Sequence, residues 1–225
     1  MIVQEIQRAP SHPQTTSHTA GPQRAPRRMW PLYAILLMSL APVVAALLAY
    51  FAPQWGFRPE GHTNYGRLLD PQRPLPSAQA LPATTLEGAP FDLASLKGQW
   101  VLVTADEAAC PESCVRKLFI LRNSHASQGK NVDRLARVWF VTDEGDVPQA
   151  VLDAYAGTRM VRSNARQLEQ FLVADHPAAQ RTDALKAHMW IIDPLGNLMM
   201  EFPPEADPIE VRDDIIKLLK NSRIG

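Results

Sequence analysis

The stretch Ala109-Cys110-Pro111-Glu112-Ser113-Cys114-Val115-Arg116-Lys117-Leu118 decides the fold. Cys110 and Cys114 are the only cysteines among 225 residues, and a proline directly follows the first. Proline suits the first position of a helix, where its missing N–H leaves no bond unmade. Beyond it, Val115, Leu118, Phe119 and Leu121, with Arg116, Lys117 and Arg122 between them, have helical spacing. Before it, Gln99-Trp100-Val101-Leu102-Val103-Thr104-Ala105 predicts a short buried strand. A strand therefore runs into a loop that delivers two thiols at the start of a helix. There the helix N–H groups and the positive end of the dipole favour a thiolate at Cys110. Residues four apart on a helix have Cα atoms about 6 Å apart, within the range of a disulfide, and two such thiolates can clamp one soft metal ion. Two plainer readings stand beside these: small buried hydrophobes, or a structural disulfide whose short loop adds little stability.

The totals set the frame. Lys and Arg equal Asp and Glu at 23 each, so no global charge draws the chain to nucleic acid. The balance is uneven, because residues 1–30 carry Arg8, Arg24, Arg27 and Arg28 against Glu5. Most of the 20 prolines lie in the amino-terminal half, which places tails and linkers around a smaller folded core.

Residues 1–29 are poor in large apolar groups and predict a disordered tail, with no metal role for His12 and His18. Residues 30–53 predict a transmembrane helix. Leu32 to Ala52 runs without a charge, matches the ~20 residues that cross a bilayer, and has Trp30, Tyr33, Tyr50, Phe51 and Trp55 at its ends. Pro42 is tolerated in such a helix. Arg24, Arg27 and Arg28 just before it place the amino terminus in the cytoplasm and the rest outside, in the periplasm of a Gram-negative cell. A cleaved signal peptide fits less well, since Ala49-Tyr50-Phe51-Ala52 makes a poor cleavage site. No cysteine is available for a lipobox. Residues 54–80 read as a Pro-rich linker in which Asn64 to Leu69 can pack on the domain and His62 is a solvated loop residue.

Residues 81–225 read as the folded domain. A hairpin-like turn at Glu87-Gly88 precedes the buried strand and the cysteine helix. A loop over 124–131 holding His125 follows, then a strand from Leu135 to Thr142, a helix opened by Pro148, and a short strand at 159–162. The remainder predicts a helix over 165–173, a loop over 175–186, a strand over 188–193, a turn at Pro194-Leu195-Gly196-Asn197 into a hairpin strand, and a last helix from Pro208. Strands alternating with helices argue an α/β sheet covered on both faces. With the cysteines at the first strand-to-helix junction, the expected fold class is α/β, thioredoxin-like, behind a single amino-terminal transmembrane helix.

The sequence resembles the Sco/SenC family of membrane-anchored, thioredoxin-fold copper proteins. The residues that carry the resemblance are Asp92-Leu93 to Gly98, the C-P-E-S-C at 110–114, Phe140-Val141-Thr142-Asp143, and Ile191-Ile192-Asp193-Pro194-Leu195-Gly196. It spans roughly residues 81–220, and the C-P-x-x-C spacing is its specific part. The resemblance implies Cu(I) bound through the two cysteines and a histidine, thiol exchange, and a role in building the copper site of cytochrome c oxidase. Its partners would be an oxidase subunit or other copper and thiol assembly proteins, at the bacterial inner membrane. The chain departs from the pattern at three points. The family's histidine position falls on Leu185, the proline after the second cysteine is Val115, and Asp106 and Glu107 precede the first cysteine. His188 is the leading replacement ligand, expected to face the cysteines, because imidazole suits copper. His176 is a weaker candidate, and Met189 should point to the opposite face.

Three functions follow. In the first, Cys110 and Cys114, with His188, hold Cu(I) as a Sco-like assembly factor. In the second, the pair is a thiol–disulfide oxidoreductase, Cys110 attacking and Cys114 resolving. In the third, the cysteines are structural in an interaction module. Asp106, Glu107 and Glu112 would raise a nearby thiol pKa and are expected to be solvated.

Overall fold

The computed structural model describes residues 29–51 and 64–224. The tail over 1–28, with His12 and His18, and the linker over 52–63, with His62, lie outside the described residues. The chain forms two units, divided between Gly61 and His62.

In the first unit, helix α1 spans Trp30–Phe51, and its 22 residues include no charged side chain. At 1.5 Å per residue it is roughly 33 Å long, against about 30 Å for a bilayer core. It is thus long and apolar enough to cross a membrane. Pro42 lies inside it without ending it.

The second unit is one eight-stranded sheet in the order β1-β8-β7-β4-β5-β6-β2-β3. Strands β4 (Trp100–Asp106) and β5 (Leu135–Val141) are buried at all seven positions. Both are almost continuous apolar runs, as expected of parallel strands covered on both faces. They pair in parallel, Trp100 opposite Leu135 and Asp106 opposite Val141, and β5 pairs in parallel with β6 (Arg159–Ser163). On the other side of β4, β7 (Met189–Ile192) runs antiparallel, with Thr104 opposite Met189. The turn at Gly196 then returns the chain as β8 (Asn197–Phe202). Strands β2 (Ala83–Thr85) and β3 (Pro90–Phe91) form the hairpin at the far edge.

Two apolar layers cover the sheet. One contains Leu102, Trp139, Met189, Ile191 and Phe202 with Leu118 and Leu121 of α2 (Glu112–Ala126) and Val211, Ile215 and Leu219 of α6 (Pro208–Asn221). Tyr155, at the end of α3 (Gln149–Ala154), belongs to the same layer. The opposite layer contains Val101, Val103, Val138, Phe140 and Trp190 with Leu168, Phe171 and Leu172 of α4 (Ala165–Leu172) and Ala184 and Leu185 of α5 (Arg181–Ala187).

Three differences from the sequence reading matter for function. First, the linker expected over 54–80 does not extend to 80. Arg67–Pro74 forms edge strand β1, antiparallel to β8 with Arg67 opposite Glu201. Its prolines are tolerable because an edge strand leaves one row of N–H groups unpaired. Just before it, Gly66 N donates to Asp214 Oδ2 at 2.9 Å, and Asp207 N donates to the Tyr65 hydroxyl at 3.0 Å. Second, the loop expected over 175–186 contains α5, a helix of seven residues whose buried members are Ala184 and Leu185. Third, Val115 and Phe119 of α2 are exposed, whereas Lys117 is buried.

Leu69 of β1 is buried in the core. Leu69→Ala should therefore destabilise the domain by about 3 kcal/mol. A denaturation midpoint unchanged by this substitution would place the segment outside the cooperative fold.

Candidate functional site

Strand β4 ends on Asp106, and the chain must then turn into α2. Cys110 N donates to Glu107 O at 3.0 Å, closing the turn. Ala108 N donates to Asp143 Oδ1 at 2.9 Å, so the end of β5 holds the loop from the side. Cys110 has φ 45°, a left-handed conformation that costs a residue with a Cβ about 1–2 kcal/mol. Pro111 stands at the N-cap rather than the first helical position, and Glu112 begins α2. Cys110 and Cys114 are joined in a disulfide, with Cα atoms 5.1 Å apart. Cys114 is fully buried and Cys110 is 6% exposed.

Behind the bridge lies a buried ion pair. Lys117 stands one turn after Cys114 on the same face of α2. Its Nζ is 2.9 Å from Asp106 Oδ2 and donates to Ala105 O at 3.0 Å and to Lys186 O. Burial pushes the Lys117 pKa down, and the Asp106 carboxylate partly opposes that. The Asp106 Oδ1 accepts from Glu107 N at 2.9 Å. Glu107 in turn pairs with Lys186, whose pKa is raised by that bond. The expectation that these acids are solvated fails for Asp106. It is the last residue of a strand buried on both sides, so its side chain enters the α2 layer and needs a cation there. A cleft of about 490 Å³ opens beside this network, lined in part by Glu112, Ser113, Lys117, Lys186 and Met189.

His188 does not join the cysteines. Met189 packs in the layer that holds Cys110 and Cys114, whereas Trp190 packs in the opposite one. His188 stacks on Trp190, with ring centroids 6.3 Å apart. Alternation along the strand thus reverses the expected roles of His188 and Met189. The Leu185 position carries no ligand either, because its side chain is 1% exposed within the α4/α5 layer. His188 meets His176 and Glu201 instead. The His176 Nε2 lies 2.8 Å from Glu201 Oε1, and the His188 Nδ1 lies 3.4 Å from the same oxygen and 2.9 Å from Phe202 O. Burial lowers the His188 pKa, against the pull of the Glu201 carboxylate and the Phe202 carbonyl. Arg67 takes Glu201 Oε2, and its own pKa is raised by that contact. Asp175 bridges Arg67 at 2.6 Å and Arg73 at 3.1 Å. Burial alone would raise the Asp175 pKa, but the two guanidinium groups hold it below the usual range. His125, expected in a loop, falls in the last turn of α2.

Lys117, Asp143, Glu201 and Arg67 were missed as contributors. Lys117 carried a signal, since it shares the helix face of Cys114. Glu201 carried another, as a charge inside the apolar strand Leu198 to Phe202. Asp143 and Arg67 act through tertiary contacts that no local pattern marks.

The comparisons with known proteins agree on the fold. A family model described as the transmembrane-like, thioredoxin-like, C-terminal domain matches residues 100–222. Copper-bound ScoI of Arabidopsis thaliana superposes with a TM-score of 0.50 at 12% identity, covering 67% of this chain and 99% of that one. A candidate electron transfer protein of Aquifex aeolicus VF5 gives 0.50 at 15% identity, covering 67% and 95%. A thiol:disulfide interchange protein from Bacteroides sp. gives 0.49 at 16% identity, covering 68% and 91%. No curated protein matches the chain. Sco proteins are therefore among its structural neighbours, and the likeness is one of fold.

Two measurements test the electrostatics. Lys117→Met leaves Asp106 buried without its cation and should cost about 3 kcal/mol. Adding Asp106→Asn should recover most of that loss, whereas equal losses in both variants would show that the pair is not coupled. His125 is held below its usual pKa of 6.5 by burial first and Arg137 second. The folded state then binds its proton less readily than the unfolded chain, so the contribution of His125 is present above pH 6.5 and declines as pH falls below it. The denaturation midpoint should drop more between pH 7.5 and 5.5 (about one unit either side of the His pKa) in the parent than in His125→Gln. An equal drop in both would refute the assignment.

Proposed function

The chain belongs to the transmembrane-like, thioredoxin-like, C-terminal domain family, and from that premise we propose that it is a membrane-anchored, Sco-like assembly factor for cytochrome c oxidase. In this reading the Cys110–Cys114 pair alternates between disulfide and dithiol, and the dithiol handles Cu(I) destined for the oxidase copper site. The observation that carries the reading is the bridged cysteine pair at the junction of β4 and α2.

The redox step follows from the burial of the two sulfurs. In the reduced form Cys110 is the thiol with exposed surface, and it stands just before the helix start, where a thiolate is favoured. Its thiolate attacks a partner disulfide, forms a mixed disulfide and releases one partner thiolate. Cys114 then attacks the Cys110 sulfur, re-forms the internal bridge and releases the second partner thiolate. Two electrons pass to the partner, and the two thiol protons go to solvent or to the departing thiolates.

Copper is the cargo in the same scheme. In the bridged form neither sulfur is a thiolate, so reduction must come first. The reduced pair offers two soft donors to Cu(I). Leu185 is buried and His188 stacks on Trp190 in the opposite layer, so neither supplies an imidazole and the two cysteine sulfurs are the donors. The alternative reading, a periplasmic thiol–disulfide oxidoreductase without copper, draws support from the same two residues. The anchor supports an assembly role at the bacterial inner membrane, and the bridge suits the oxidising space outside it. Arg24, Arg27 and Arg28 argue for a cytoplasmic amino terminus.

Anaerobic Cu(I) titration of the reduced protein should give one ion per chain. Binding should be abolished by Cys110→Ser and insensitive to His188→Ala. Absence of binding, with a measurable Cys110–Cys114 reduction potential, would leave the oxidoreductase. A Cys110→Ser/Cys114→Ser strain that builds fully copper-loaded oxidase under copper limitation would sink the assembly reading.

A further inference from the structure

We propose that His176, His188 and Glu201 form a second metal site, separate from the cysteines, for a borderline divalent ion of the Zn²⁺ or Cu²⁺ kind. One donor atom from each residue lies within 4.8 Å of the other two. The three come from different elements. His176 follows α4, His188 caps α5, and Glu201 sits on β8. The ion would therefore bridge the sheet to the two helices that cover its face.

The carboxylate is already arranged for such a role. Glu201 is a strand residue with a side chain only 4% exposed. Its Oε2 is taken by Arg67, which offsets the charge, while Oε1 is approached by His176 Nε2 and, at 3.4 Å, by His188 Nδ1. The Arg67 guanidinium is itself held by Asp175. Oε1 can accept an ion while Oε2 keeps its partner.

The imidazoles are equally prepared. Their ring centroids are 5.2 Å apart, edge to face. Phe202 O, 2.9 Å from His188 Nδ1, can only accept a hydrogen bond, so a neutral ring carries its proton on Nδ1, the nitrogen 3.4 Å from Glu201 Oε1, and His188 would offer its Nε2 lone pair to the ion. A main-chain carbonyl fixing the tautomer is the usual outer support of a metal-bound histidine. A cleft of about 430 Å³, lined by Tyr65, Arg67, Asp175, His176, His188 and Glu201 among others, leaves room for water as a fourth ligand. Two nitrogens and one oxygen favour Zn²⁺ or Cu²⁺ over the soft Cu(I) of a dithiol.

The test uses the untagged full chain in detergent with its disulfide intact, so that sulfur takes no part. Zn²⁺ is titrated against a chromophoric chelator. The expected result is one Zn²⁺ per chain, with a rise in Tm on binding. His176→Gln and His188→Gln should each weaken binding by more than the about tenfold typical of losing an outer partner. Cys110→Ser/Cys114→Ser and His12→Gln/His18→Gln should leave it unchanged. With Cu²⁺ as the probe, the electron paramagnetic resonance spectrum should show coupling to two imidazole nitrogens. His176 is a loop residue, so its variant decides the question even if His188→Gln fails to fold. Absence of stoichiometric Zn²⁺ binding, or binding indifferent to His176→Gln, would overturn the site whatever the cysteines do with Cu(I).

Discussion

A strand buried on both faces has no choice about where its side chains go: each residue enters one layer and the next enters the other. Strand β7 is fully buried, and its neighbour β4 is buried along its whole length. Met189 therefore joins the layer under the cysteines, and Trp190 and His188 belong to the layer under α4 and α5. The chemistry of the domain divides along this plane. The disulfide and the buried Lys117–Asp106 pair lie on one side, and the two imidazoles with Glu201 lie on the other.

The same constraint explains Asp106. At the end of β4 the pleat turns its carboxylate inward, and Lys117 reaches it from α2. The ammonium also bonds the carbonyls of Ala105 and Lys186, so it ties the strand end to the carboxyl-terminal part of α5. The loop that carries Cys110 starts from this fixed point. Asp143 holds it a second time through Ala108 N, and the unfavourable φ at Cys110 is sustained between these anchors.

Much of this architecture was legible in the chain. The apolar runs at Trp100 to Ala105 and Leu135 to Val141 could only be buried strands, and the cysteine spacing marked the junction with α2. The apolar stripe of α6 and the uncharged run of α1 were equally plain. What escaped detection was non-local or short. Strand β1 is rich in proline and polar residues and exists because β8 offers it an edge. Helix α5 has too few apolar positions to show a period. At the site, the cysteine pair was apparent, but the direction of His188 was not. It depends on strand β7 beginning at Met189 directly after α5, a register that periodicity leaves open by one residue, and one residue reverses the face.

Leu185 raises a question of reversibility. In the family that the sequence resembles, this position would carry an imidazole. Here α5 turns the residue into the apolar core, where Leu185 is 1% exposed. Histidine at 185 would place a polar ring in the apolar layer of Val101, Val103 and Trp190 rather than beside sulfur. An imidazole at this position could reach the sulfurs only if the segment from Arg181 to Ala187 unwound. One substitution at 185 is therefore not enough to bring an imidazole to the cysteine pair, because the local fold directs the side chain elsewhere.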